Sequence, residues 1–150
     1  MTNTKTIPVA EDLFTWPSDD PRLIGSQCAD CGLVAFPAAD LCARCGSGKT
    51  DRRTLANEGT LWTFTTQGFR PPTPPYNGND TAETFQPYTV GYVELADGLL
   101  VEARLTEPDP EALTIGQRMR MVVLPYSVAD DGTQILTFAF APAGAVAEEA

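Results

Sequence analysis

From residue 59 onward, apolar and polar positions alternate with a period of two, the pattern of strands with one buried face. The stretch "GTLWTFTTQGF" (59–69) is rich in β-branched and aromatic residues and puts Trp62 and Phe64 on one face. "YTVGYVEL" (88–95) runs straight into Ala96-Asp97-Gly98, a hairpin turn. In "LLVEARL" (99–105), Leu99, Val101, Ala103 and Leu105 point inward, and Glu102 and Arg104 point outward. "QRMRMVVL" (117–124) alternates through Met119, Met121 and Val123, and "TQILTFAF" (133–140) follows a second turn at Asp131-Gly132. Helical signal in this body is confined to "DPEALTIG" (109–116). Five antiparallel strands of this length predict a small closed barrel over residues 55–142, and the OB-fold is the commonest such solution.

The alternation breaks in three places. "RPPTPPYNGNDTAETFQP" (70–87) joins the first two strands; it is far longer than a hairpin loop and its prolines predict an extended path. Residues 143–150 read as a solvated, flexible tail. Residues 1–24, with "VAEDLFTWPSDDPRLI", predict a short N-terminal helical segment whose Leu13, Phe14 and Trp16 form an apolar edge. That edge packs on the neighbouring segment or docks on another protein.

Residues 25–54 hold every cysteine, Cys28, Cys31, Cys42 and Cys45, as two CxxC pairs ten residues apart, in a chain without histidine. Two such turns facing one another make a tetrahedron of thiolates, which suits Zn²⁺ and leaves no open coordination position. Both pairs end in Cys-Gly, at Gly32 and Gly46, where glycine tolerates the positive φ of a metal knuckle and turns backbone N–H groups toward sulfur. The segment is therefore read as a rubredoxin-like zinc ribbon with one structural zinc per chain. Iron binds the same ligands. Disulfides require an oxidising compartment, and a redox CxxC requires a surrounding βαβ pattern that is not present.

Composition narrows the functional classes. The 43% hydrophobic content supports a core, and no apolar run is long enough to cross a bilayer. The opening "MTNTKTIPVAEDLF" lacks a basic region followed by an apolar one, so the expected compartment is the reducing cytoplasm. The formal charge is −10, which disfavours binding to phosphate backbones. Only the cysteine segment is locally basic, through Arg44, Lys49, Arg52 and Arg53, which offset thiolate charge. Catalytic equipment is sparse. Serine occurs at Ser18, Ser26, Ser47 and Ser127, none in a nucleophile elbow, and no phosphate-binding glycine loop is present. Glu94 and Glu102 flank one hairpin and can face each other, but exposed strand positions account for them. No catalytic residue is assigned, and the chain is not expected to be an enzyme alone.

Ribbon then barrel, carried by "QCADCGLVAFPAADLCARCGS", "GTLWTFTT", "PYTVGYVELADGLLVEARL", "LTIGQRMRM" and a terminal "LTFAF", resembles the zinc-ribbon/OB-fold acyl-CoA-associated proteins, a family long catalogued as a domain of unknown function. The likeness covers nearly the whole chain. Ala38 and Ala43-Arg44 stand where many members have proline. The resemblance implies a non-catalytic accessory subunit of a thiolase-like enzyme, a thiolase or retro-aldolase that forms or cleaves C–C bonds in acyl-CoA thioesters, as in steroid or aromatic degradation. It implies a heterotetramer built on a thiolase dimer, with acyl-CoA at the interface. Leu13, Phe14 and Trp16 and part of the 70–87 loop are the expected partner contacts, and Arg44, Lys49, Arg52 and Arg53 the expected contacts of the CoA phosphates. A nucleic-acid-binding OB module stacking bases on Trp62, Phe64 and Phe69 is the alternative; a rubredoxin-like electron carrier is a third.

Overall fold

Alternate burial builds the sheet. In the computed structural model, which describes residues 5–72 and 79–143, nine strands follow one another: β1 (Thr6–Pro8), β2 (Ile24–Cys28), β3 (Val34–Ala35), β4 (Thr50–Thr54), β5 (Glu58–Gln67), β6 (Tyr88–Leu95), β7 (Leu100–Leu105), β8 (Arg118–Val128) and β9 (Gln134–Pro142). In β6, Thr89, Gly91, Val93 and Leu95 are buried; in β7, Val101, Ala103 and Leu105 are. Their neighbours face outward, so each strand contributes one row to a common interior. "DPEALTIG" yields one turn of 3₁₀ helix, Pro110–Ala112, capped by the Asp109 side chain.

β5 to β9 close into a barrel in the order β9-β7-β6-β5-β8, with β8 returning to β9. The expectation of five antiparallel strands needs one correction. A closed ring of five neighbours cannot alternate direction all the way round, so at least one pair must be parallel. That pair is β7 with β9, through Arg104 opposite Ala139 and Leu105 opposite Phe140. Leu61, Val93, Val101, Leu105, Met119 and Phe140 fill the interior.

A bulge and a close approach shape β5. Leu61 pairs with Val93 but Thr63 pairs with Tyr92, so Trp62 is the extra residue of a β-bulge. The sequence reading put Trp62 and Phe64 on one face; the bulge separates them. Phe64 packs against the core, and Trp62 stands outside, 54% exposed. Opposite Phe64 sits Gly91, where a Cβ would lie 2.6 Å from the Thr63 carbonyl oxygen. Only glycine lets the two strands meet there.

β2, β3 and β4 form a separate three-stranded sheet in the order β3-β2-β4, which carries the cysteine turns. Before it, the expected N-terminal helix is absent among the described residues. β1 pairs in parallel with β9, Phe14 bridges Leu23, and the Thr15 and Ile24 amides donate to the Arg22 and Leu13 carbonyls at 2.9 Å. Pro8, Pro17 and Pro21 withhold amide hydrogens that a helix needs, and cross-chain pairing satisfies the backbone instead. Of the two readings of the apolar edge, the structure shows packing within the chain: Phe14 is buried with Leu23 and Leu55, and the half-buried Leu13 and Trp16 pack on the same cluster. Of the 70–87 loop, residues 73–78 lie outside the described residues, as do residues 144–150 of the tail.

Candidate metal centre and binding faces

The two CxxC turns are built alike. Gly32 and Gly46 have φ of 84° and 78°, and their amides donate to the Cys28 and Cys42 carbonyls at 2.9 Å. Each turn then aims amides at sulfur: Cys31 N–H donates to the Cys28 Sγ at 3.4 Å, and Arg44 and Cys45 N–H donate to the Cys42 Sγ at 3.4 and 3.5 Å. Ser47 of the second turn donates its hydroxyl to Asp30 of the first, tying the pair. The four sulfurs lie within 4.8 Å of one another, with Cys28 to Cys45 at 3.6 Å and Cys31 to Cys42 at 3.5 Å. A tetrahedron with metal–sulfur bonds of about 2.3 Å has edges of about 3.8 Å. The residues present fit a closed tetrathiolate site.

Electrostatics point the same way. The Leu33 amide, and after it the Arg44 guanidinium, hold the Cys31 thiol down at about 6. Cys28 is lowered chiefly by the Cys31 amide. The Ser47 amide pulls on Cys45, but its thiol neighbours, Cys28 first, and burial push it up to about 12. Four thiols so crowded cannot all ionise without a cation among them, and a divalent metal supplies one.

The ribbon cations are mostly engaged within the chain. Arg44 donates to the Cys31 carbonyl at 3.1 Å. Arg52 pairs with Asp12 at 3.5 Å and Asp40 at 3.7 Å. Arg53 donates to Gln27 at 3.0 Å and to Asp97 at 2.8 Å, and the same Asp97 carboxylate accepts the Ala56 amide at 2.7 Å. Lys49 is exposed and makes no ion pair among the described residues. Asp97, in the β6–β7 turn, thus clamps the ribbon to the barrel, and Phe36 of the ribbon meets Phe138 of β9 edge-on at 5.7 Å. The turn was readable as Asp-Gly; its role was not, because Arg53 and Ala56 are far from it in sequence.

On the outer face of β5, β6 and β7, Trp62 and Tyr92 meet edge-on at 6.4 Å, with Leu100 40% exposed in the neighbouring strand. Tyr92 pairs with Glu102 and Leu100 with Glu94, so the two carboxylates lie diagonally across this patch rather than facing each other. Sequence reasoning missed the patch because the bulge at Trp62 assembles it. No helix among the described residues is long and apolar enough to cross a membrane.

A tetrathiolate ribbon feeding a five-stranded barrel defines a class of two-module zinc-ribbon/OB-fold proteins. The model of the ChsH2 rubredoxin-like zinc ribbon domain matches residues 16–51, and that of the ChsH2 C-terminal OB-fold domain matches residues 52–124. A DUF35 domain-containing scaffold protein of Pyrococcus furiosus is 30% identical over 122 residues, covering 81% of this chain and 83% of the relative. The chain belongs to the DUF35 family. The benzoylsuccinyl-CoA thiolase subunit BbsA of Thauera aromatica is 26% identical over 131 residues, 86% of this chain and 83% of that one. The solved Ltp2-ChsH2(DUF35) aldolase shares 27% identity and a TM-score of 0.57, over 81% of this chain and 85% of its own.

Proposed function

We propose that this chain is a non-catalytic accessory subunit of a thiolase-like enzyme that forms or cleaves C–C bonds in acyl-CoA thioesters. The observation that carries the reading is the exposed aromatic face of Trp62 and Tyr92 on a barrel whose sequence holds no catalytic set. Tryptophan and tyrosine are the residue types that anchor interfaces. Glu94 and Glu102 beside them select a partner with an apolar groove edged by cations. Relatives named as a thiolase subunit and as part of an aldolase give that partner its chemistry.

In this reading one zinc ion, held by Cys28, Cys31, Cys42 and Cys45, keeps the ribbon rigid and takes no part in the reaction. The Asp97 clamp passes that rigidity to the barrel. Two chains sit on a thiolase dimer with acyl-CoA near the interface. Arg44 and Lys49 supply the ribbon charge least occupied by carboxylates and draw CoA phosphates toward the complex, with Arg52 and Arg53 adding to the local field. The nucleic-acid alternative finds no support in geometry: Phe64 faces the core, so the Trp62–Phe64–Phe69 stacking platform does not form.

The test is capture of a co-expressed thiolase-like subunit by the tagged chain. Trp62→Ser with Tyr92→Ser should abolish capture while zinc content and the strand spectrum stay as in the parent. Undiminished capture by the double variant would exclude this face as the docking site.

A further inference from the structure

β5 has a neighbour on both sides for only part of its length. β8 pairs with it over Glu58, Gly59 and Thr60, and Leu61 exchanges backbone hydrogen bonds with Gln117 and Gly116 at 2.9 and 2.8 Å. From Thr63 to Gln67 the strand stays paired with β6. Among the described residues, no backbone hydrogen bond reaches that stretch from the other side. Thr65, Thr66 and Gly68 are exposed there, and Phe69, just past the strand, is 72% exposed. Beyond the bulge, then, β5 is a bare sheet edge with alternate N–H and C=O groups turned to solvent.

Bare edges are ordinarily guarded by charge or proline. Two other edges of this fold follow that rule: β1 carries Pro8, and β4 carries Asp51, Arg52 and Arg53. Residues 59–69 contain no charged residue and no proline, in a chain of formal charge −10. Threonine and aromatic residues dominate the run, the composition that favours strand pairing. The contrast marks this edge as one that another strand covers.

Charge and symmetry identify the cover. Two copies of so acidic a chain repel wherever their charged surfaces meet, and a neutral strip is where they approach at least cost. Run antiparallel, the strip complements itself. With Thr66 opposite its counterpart, Thr65 falls opposite Gln67 and Thr63 opposite Phe69, at both ends of the pair. Opposite residues of an antiparallel pair share a face, and period-two alternation keeps Thr63 and Phe69 on one side. Phe69 of each copy thereby comes beside the exposed Trp62 of the other, so two large apolar side chains cover one another.

We propose that the chain self-associates as a two-fold dimer through β5, each copy adding its free edge to the other's sheet. Such an interface is isologous and closes on itself, so it stops at two copies. Edges are joined and outer faces are left open, so the dimer is independent of the docking proposed above and compatible with two chains on one enzyme dimer.

The experiment is sedimentation equilibrium on the full-length, zinc-loaded chain across a dilution series, with no enzyme subunit present, and amide NMR on the same samples. A monomer–dimer equilibrium is expected, with the amides of residues 63–69 shifting on dilution. Thr66→Lys places a charge on the edge and should weaken association about tenfold or more. Thr66→Val, which keeps a β-branched, neutral residue, should retain it. Leu100→Ser, on the outer face of β7, should leave it unchanged. A monomer at every concentration, a dimer that Thr66→Lys leaves intact, or one that Leu100→Ser weakens as much as Thr66→Lys each overturns the proposal. No partner is present in these samples, so either result leaves capture of the enzyme to its own test.

Discussion

Gly32 and Gly46 show what a single position contributes. Their positive φ lets each CxxC turn close on itself and frees amides to point at Cys28 and Cys42. The metal-site residues were legible in the sequence because metal chemistry dictates both residue type and local spacing. Asp97 was legible only as a turn residue, since its partners Arg53 and Ala56 arrive through the fold. Arg104 and Glu102 were both assigned outward by alternation; nothing local revealed that Arg104 lies over Tyr88. At this scale the account predicts that Cys42→Ser loses the bound metal. Metal analysis should fall from one zinc per chain to near none, and the ribbon amides should broaden or vanish by NMR. The barrel amides should persist, because its core of Leu61, Val93 and Phe140 does not draw on the cysteines. Full retention of zinc by this variant would remove Cys42 from the site.

Strands were the most legible elements, because period-two burial follows directly from the pleat. The β6 range agrees with its sequence reading, and β8 and β9 extend beyond theirs. Two features escaped for physical reasons. The bulge at Trp62 depends on the register with β6, and register is a property of two strands. The N-terminal segment carries apolar residues at helix-like spacing, but proline and pairing with the approach to β2 override that pattern. The joint between ribbon and barrel is likewise a property of elements. Asp97 is 8% exposed and accepts from both Arg53 and the Ala56 amide, so Asp97→Ala strands two donors at once. Its expected cost is about 1–3 kcal/mol in chemical denaturation. Asp97→Asn, which keeps an acceptor for Ala56 but loses the charge, should cost less. Equal stability of Asp97→Ala and the parent would mean that Phe36 on Phe138 and the Leu23–Leu55 contacts hold the modules together without the clamp.

Over the whole molecule, a chain of formal charge −10 presents a ribbon with four clustered thiols, a closed barrel and, among the described residues, an outward aromatic patch edged by carboxylates. The order of ribbon and barrel was readable, since each announces itself locally; the N-terminal segment, expected as a helix, was not. Partner contacts were less so: of the edge expected at Leu13, Phe14 and Trp16, folding buries Phe14 in the core and packs the half-buried Leu13 and Trp16 against it. What remains on the outside is a surface suited to another protein, and the central claim is that a thiolase-like enzyme covers it. Sedimentation velocity on the zinc-loaded chain mixed with such a subunit tests this most directly. The account predicts a single faster boundary, with the mass of two chains on one enzyme dimer, replacing those of the separate components. Two boundaries at the positions of the free proteins, at concentrations well above those of stable subunit assembly, would contradict it.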